Sequence, residues 1–338
     1  MVPALAIADA LRDGEPGARV VFIGGERAER DLVPAAGYEL RAVSVEGLSR
    51  TNPLKALRAW FRSIGAVVSS WRILGELRPA VVMGGGGYVA GPVGVAAVLR
   101  RIPLVLTEAD SHLGISNRLL ARFARRVCLA FPLAGRDGER YLVTGRPVPQ
   151  PATGRGAARA RFGVAADDTL LLVFGGSLGA RSINEAALGA FADAAPCRVL
   201  HSAGTRDFAT LDARPRGPHY DLVAYIEGFG QALAAADLVV GRSGGSVFEL
   251  AAAGCASILI PYPHAAGDHQ AGNARWMADA GAAIVIADAA LGAARLRREV
   301  EELLADPGRL AAMRAAALRL ARPDAAGVIA EEIRAAVR

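Results

Sequence analysis

The chain has 338 residues, 52% of them hydrophobic and 21% charged, with a formal net charge of +6 and three cysteines. That length is generous for one doubly wound domain and comfortable for two, and the apolar fraction excludes a disordered chain. Cys128, Cys197 and Cys255 lie far apart beside apolar residues, which excludes a disulfide framework or a CxxC pair and fits a reducing compartment.

The basic excess has three possible partners: nucleic acid, an anionic membrane surface or a phosphorylated small molecule. A zinc-finger spacing and an aromatic-basic strand of the RNA-recognition type are both absent, so nucleic acid is not expected. No apolar run is long enough to span a bilayer.

In chain order, residues 2–12 (VPALAIADALR) predict an amphipathic helix with proline in its first turn. A doubly wound domain opens with a strand and a glycine-rich turn feeding that helix. Both are missing ahead of Val2, so the true reading frame is expected to begin upstream. Short aliphatic runs then predict strands at 20–23, 81–83, 104–107 and 126–130, and further on at 170–174, 198–202, 222–225, 238–241, 257–260 and 283–286. They are continuously apolar and alternate with alanine-rich helical stretches, the pattern of parallel sheets covered on both faces. The proline- and glycine-rich stretch from Thr144 to Arg161 reads as a linker between two such domains. The segment from Pro323 reads as a helix that returns to the first.

The strand ends carry the chemistry. GGSLGAR (Gly175–Arg181) follows LLLVF and opens a helix, so its backbone N–H groups and the helix start suit a phosphate or diphosphate. GRSGGSVFEL (Gly241–Leu250) repeats that arrangement, with Glu249 one turn in, where a carboxylate can accept from two ribose hydroxyls. GGGGYVAGP (Gly84–Pro92) is a third glycine turn. PYPHAAGDHQAGNA (Pro261–Ala274) sets Asp268, His269 and Gln270 in a loop suited to sugar hydroxyls. TEADSHLGISN (Thr107–Asn117) holds Glu108, Asp110 and His112, acid/base candidates that compete with a simple helix-capping role. Neither a P-loop lysine nor GxGxxG is present. GGSLG and GRSGG also match the nucleophile elbow G-x-S-x-G, which makes a serine hydrolase using Ser177 or Ser243 the rival reading, though without an HGGG-type oxyanion motif. His264 and His269 lack metal-ligand spacing, and no metal is expected.

In this order and spacing, GGGGYVAGP, GGSLGAR, YIEGF, GRSGGSVFELAAAG and DHQAGNA resemble the motifs of the MurG family over essentially the whole chain. The resemblance implies an α/β GT-B fold, two doubly wound Rossmann-like domains facing a cleft. An acceptor domain would occupy 1–147, a UDP-GlcNAc domain 148–322, and a helix at 323–338 would pack back on the first. It implies inverting transfer of GlcNAc from UDP-GlcNAc to the C4 hydroxyl of MurNAc in lipid I, forming lipid II at the cytoplasmic face of the cell membrane, with no cofactor. Alternatives are a UDP-sugar-binding protein impaired in catalysis, or a transferase for another lipid.

Carried across, Gly175, Gly176, Ser177, Leu178 and Gly179, with Ser243, Gly244 and Gly245, would hold the donor diphosphate. Ile226 would meet uracil, Glu249 the ribose, and His269 and Gln270 the GlcNAc hydroxyls. Gly84, Gly85, Gly86, Gly87, Tyr88 and Asn117 would serve the acceptor, and Glu108, Asp110 and His112 would stand as catalytic candidates. The chain departs from the family pattern in lacking the opening glycine loop, in Pro149 standing for a linker arginine, and in Thr107 and Asp110 replacing a histidine and an asparagine. Pro53–Leu77 interleaves Lys55, Arg58, Arg62 and Arg72 with aromatic and aliphatic residues, a composition suited to an anionic bilayer or to an ordinary pair of surface helices.

Overall fold

Parallel strands cannot be joined by tight hairpins, so each connection must cross a face of the sheet, usually as a helix. The paired strands of this protein are all parallel. The computed structural model describes residues 1–25, 29–43 and 53–337, without the side chains of 53–63 and Tyr88. It separates into two compact units, residues 1–148 with 322–338, and residues 149–321.

The first unit runs α1 (Val2–Gly14), β1 (Val21–Gly24), α2 (Glu29–Ala35), β2 (Glu39–Ala42), α3 (Pro53–Leu77), β3 (Val82–Gly84), α4 (Gly87–Leu99), β4 (Leu104–Glu108), α5 (Ile115–Leu120), β5 (Arg126–Leu129) and β6 (Tyr141–Val143). Among the described residues its strands form two separate sheets, β1-β2 and β3-β4-β5-β6. A cavity of about 900 Å³ is lined by both β1 and β3, including Val21, Ile23, Val82 and Met83, and is roofed by Ile7 of α1.

The second unit runs α6 (Arg155–Arg161), β7 (Leu170–Phe174), α7 (Arg181–Phe191), β8 (Arg198–Ser202), α8 (Phe208–Asp212), β9 (Tyr220–Val223), α9 (Phe229–Ala235), β10 (Leu238–Gly241), α10 (Val247–Ala252), β11 (Ser257–Leu259), α11 (His269–Asp279), β12 (Ala283–Val285), α12 (Ala293–Leu304) and α13 (Pro307–Leu320). Its single sheet has the order β12-β11-β10-β7-β8-β9. The chain winds from β7 outward to β9, then returns to β7's other side and winds outward again from β10. All five residues of LLLVF are buried, and Leu171 and Val173 join Ile183, Val240 and Ile258 in one core. Burying each such side chain contributes about 1.5–3 kcal/mol. The last helix, α14 (Ala325–Val337), belongs to the first unit, where Ile329 and Ile333 pack with Ile7, Val105 and Cys128.

The structure departs from the sequence expectations at five elements, beyond shifts of a residue at strand ends. Two strands, β2 and β6, lie where none is expected; both are edge strands with largely unburied patterns. The strand expected at 222–225 sits two residues earlier, at Tyr220–Val223. Pro53–Leu77 is one 25-residue helix rather than a pair. The expected linker contains α6, which starts after Gly154 at φ 81°. That helix is pinned through Arg155 and Arg159 to Asp237, at 2.5 and 3.2 Å, and Asp237 also accepts from the amide of Leu170 at the start of β7.

Candidate functional site

In an open parallel sheet, ligands bind at the carboxyl ends of the strands where the winding reverses, because the loops there diverge to opposite faces and leave a crevice. In the second unit that point lies between the neighbouring strands β7 and β10. The loops leaving those two strands are Gly175–Ala180 and Arg242–Ser246, so the two glycine motifs stand side by side at the reversal.

The first loop needs its glycines. Gly176 and Gly179 have φ of 92° and 80°, and a Cβ at Gly175 would meet the amide nitrogen of Ala180 at 2.3 Å. Ser177 and Leu178 form the exposed crest, and Leu178 is 65% exposed. The carbonyl of Ser177 is turned inward, accepting from the Thr205 amide at 3.2 Å. The loop then runs into the first turn of α7, whose start presents unpaired amides and a partial positive charge.

The second loop is built differently. Ser243 is fully buried and its hydroxyl donates to the carbonyl of Gln270 at 2.8 Å. It therefore ties the loop after β10 to α11, and only its backbone and that of Gly244 and Gly245 remain for a ligand. This removes Ser243 as a hydrolase nucleophile, since the oxygen is committed inside the fold. Asn273, also buried, donates to the carbonyl of Ser243 at 3.0 Å. The Gln270 side chain accepts from the Tyr262 amide at 3.0 Å, and its nitrogen lies 3.8 Å from where a Cβ on Gly244 would be. Gln270 thus sits over the second glycine loop. His269 opens α11, its Nδ1 2.8 Å from the carbonyl of Ala266. Glu249 lies in the first turn of the short helix α10. Ile226 is buried in the turn between β9 and α9, beside Gly228 at φ 75°.

Behind both loops lies a knot that sequence reading overlooks. The guanidinium of Arg242 donates to Asp288 at 2.5 Å, to the carbonyls of Ile260 and Pro261, and to the Ser182 hydroxyl at 2.9 Å; Ser182 in turn donates to Asp288 at 2.7 Å. One side chain so fixes the ends of β10 and β11 to the start of α7. Its only sequence signal is an arginine at the head of GRSGG, because its partners are distant in the chain.

In the first unit, Gly84–Gly87 leads from β3 into α4, with Gly86 and Gly87 both at φ 79°. The side chain of Tyr88, an expected acceptor contact, lies outside the described residues, as do those of Lys55, Arg58 and Arg62. Asn117 is buried 1% exposed, and its amide donates to the Thr107 carbonyl and to Glu108, both at 2.9 Å. Glu108 also accepts from the amides of Gly114, at 2.8 Å, and Asp110, at 3.2 Å. Its carboxylate is thus the organiser of the Thr107–Asn117 loop. Asp110 is half-buried and His112 exposed on that same loop. Asn117 also approaches Gly86, its amide nitrogen 3.8 Å from a Cβ built there, so the two expected acceptor elements are neighbours. Among the described residues there is no group of three side chains arranged to hold a metal ion.

Comparison with known proteins gives a consistent result. Residues 1–129 match the glycosyltransferase family 28 N-terminal domain, and residues 170–329 match the glycosyltransferase family 28 C-terminal domain. The chain is 41% identical to the UDP-N-acetylglucosamine–N-acetylmuramyl-(pentapeptide) pyrophosphoryl-undecaprenol N-acetylglucosamine transferase of Moorella thermoacetica, over 98% of this chain and 94% of that one. It is also 41% identical to the transferase of the same name from Salinibacter ruber, over 98% and 92%. Among solved structures it is similar to Acinetobacter baumannii MurG, with a TM-score of 0.79, 29% identity and coverage of 98% and 95%.

Proposed function

This chain belongs to the MurG family of family 28 glycosyltransferases, and we propose that it moves GlcNAc from UDP-GlcNAc to the MurNAc C4 hydroxyl of lipid I, forming lipid II. The observation that carries this reading is the pair of glycine loops flanking the reversal between β7 and β10. A sugar nucleotide needs charge stabilisation on its departing diphosphate, and preorganised backbone amides at a helix start provide it where the charge develops.

In this assignment Gly175–Gly179, together with Ser243, Gly244 and Gly245, receives the diphosphate. Ile226 borders the uracil, Glu249 the ribose, and His269 with Gln270 the GlcNAc hydroxyls. Gly84–Gly87 and Tyr88 form part of the acceptor diphosphate site, and Asn117 serves the acceptor. Of the acid/base candidates, Glu108 already accepts three N–H donors from its own loop, which favours Asp110 or His112 as the group that takes the acceptor proton.

The acceptor is borne on a lipid, so the enzyme works at a membrane surface, and we assign it to the cytoplasmic face. Among the described residues no helix is long and apolar enough to cross a bilayer. Instead α3 exposes Ile64, Val68 and Trp71 at helical spacing, and the α5 region exposes Ile115, Leu119 and Phe123 among Arg118, Arg122 and Arg125. Exposed apolar side chains beside arginines suit shallow insertion among anionic headgroups.

The direct test is transfer of labelled GlcNAc from UDP-GlcNAc to a lipid I analogue. Labelled disaccharide lipid supports the assignment. UDP binding without transfer would instead support a UDP-sugar-binding protein or a different lipid acceptor, and failure to bind UDP would sink the donor-site assignment.

A further inference from the structure

The core of the second unit holds a string of polar groups outside the site described above. His201, next to last in β8, is fully buried, as is Asn184 in the first turns of α7, and Tyr220 at the start of β9 is 5% exposed. The Tyr220 hydroxyl lies 2.7 Å from His201 Nδ1, and His201 Nε2 lies 3.0 Å from Asn184 Oδ1. Asn184 Nδ2 donates to the carbonyl of Ala203 at 2.9 Å.

One arrangement of protons satisfies every group. The amide of Asn184 donates to Ala203, so its oxygen faces His201 and can only accept; Nε2 must carry the imidazole proton. Nδ1 is then an acceptor and receives a hydrogen bond from the Tyr220 hydroxyl. The string is therefore directional, running from Tyr220 through His201 and Asn184 to Ala203. Burial also holds His201 neutral, its pKa pushed down to about 3, so this polarity is kept at neutral pH.

The place where the string ends is informative. The Ala203 carbonyl lies 2.0 Å from where a Cβ on Gly179 would be, and Gly204 backs onto the amide nitrogen of Gly179. The next residue, Thr205, holds the Ser177 carbonyl through its amide and, at 3.4 Å, its hydroxyl. Ala203–Thr205 is thus the floor on which the Gly175–Ala180 loop rests. A fully satisfied polar string in an apolar core fixes geometry more than it adds stability, since apolar residues of similar volume could fill the space.

We propose that Tyr220, His201 and Asn184 are positioning residues that set the Ala203 carbonyl and, through it, the seat of the Gly175–Ala180 loop against the donor diphosphate. This rests on the reading of that loop as the diphosphate cradle. The string acts on donor affinity, and the acceptor side is outside its reach.

Three substitutions test it, each assayed well below its own melting temperature for UDP binding and for steady-state transfer to a lipid I analogue. Tyr220→Phe removes the proton given to Nδ1 and keeps the ring. It raises the UDP Kd and the KM for UDP-GlcNAc by about 3–10-fold, the equivalent of one lost hydrogen bond, with kcat and the acceptor KM little changed. His201→Leu breaks the string and does the same or more. His201→Gln can accept from Tyr220 and donate to Asn184 at once, and it restores donor affinity relative to His201→Leu.

Wild-type protein that fails to bind UDP overturns the cradle reading and this inference with it. Wild-type protein that binds UDP, with Tyr220→Phe and His201→Leu lowering only the melting temperature, overturns the positioning role alone. A His201→Gln variant no better than His201→Leu likewise counts against the string.

Discussion

Gly204 is stacked against the backbone of Gly179, so that a Cβ on Gly204 would lie 2.1 Å from the Gly179 amide nitrogen. Two strand-end loops, after β7 and after β8, are thereby in main-chain contact, and neither can carry a side chain at the point of contact. Gly204→Ala should be costly twice over. Its φ of 84° is disfavoured by about 1–2 kcal/mol for an L side chain, and the added methyl must push the glycine loop away. Calorimetric titration should show UDP affinity down by more than about tenfold, the equivalent of 1.4 kcal/mol. Gly230→Ala, in α9 with nothing near its added methyl, is the control and should be neutral or slightly stabilising.

Glu108 offers a contrast between architecture and chemistry. Glu108→Ala removes the acceptor of the Gly114 and Asp110 amides and one of the two that the Asn117 side chain uses, at a cost of about 2–3 kcal/mol for charge-assisted hydrogen bonds. Glu108→Gln keeps an oxygen for them. Transfer to a lipid I analogue should fall severely in the alanine variant and be largely kept in the glutamine variant, while UDP affinity holds in both. Equal loss in both variants, with native circular dichroism, would instead make Glu108 the base.

The buried imidazole gives stability a pH dependence of definite sign. His201 stays neutral in the folded protein down to about 3, whereas an unfolded histidine binds its proton near 6.5. Between those values the unfolded state holds the extra proton. The stability is therefore present above about pH 6.5 and is lost as pH falls, by at most about 1.4 kcal/mol per unit from this residue. Urea unfolding at pH 7.5, 6.5 and 5.5 checks the slope, and His201→Gln should flatten it.

Neighbouring residues of a strand point their amides to opposite edges. The Val82 amide donates to the carbonyl of Pro103, just ahead of β4, so that of Met83 faces the cavity beside β1. Gly24 accepts from Val43 after β2, so the polar groups of Ile23 face the same cavity from the other side. Hydrogen exchange should show Ile23 and Met83 far less protected than Val82 or the amides of β7. Equal protection would mean that both edges are paired in solution.

Much of the fold was legible because a strand buried on both faces announces itself: LLLVF and LVVG have no polar residue to blur their bounds. ELRA and YLV, on sheet edges, carry no such signature. The glycine loops could be read from local sequence because their backbone demands are local. The inward turn of Ser243 and the knot around Arg242 could not, because Gln270, Asp288 and Ser182 reach them only through the winding of the sheet. The helix α6 was hidden for a similar reason, its anchor Asp237 lying about eighty residues away from Arg155.

The division of the first unit's six strands into two sheets leaves four strand borders among the described residues, where one continuous sheet would have two. Borders are where foreign chains attach, and proteins commonly guard them with charge, proline or a bulge. VFIG and VMG carry no charge and no proline. The two halves of this molecule should therefore fail differently under stress. The second unit, closed around one sheet, is built to melt as a block. The first is built to be adhesive before it melts, and the onset of aggregation will report on β1 and β3 rather than on the glycine loops of the second unit.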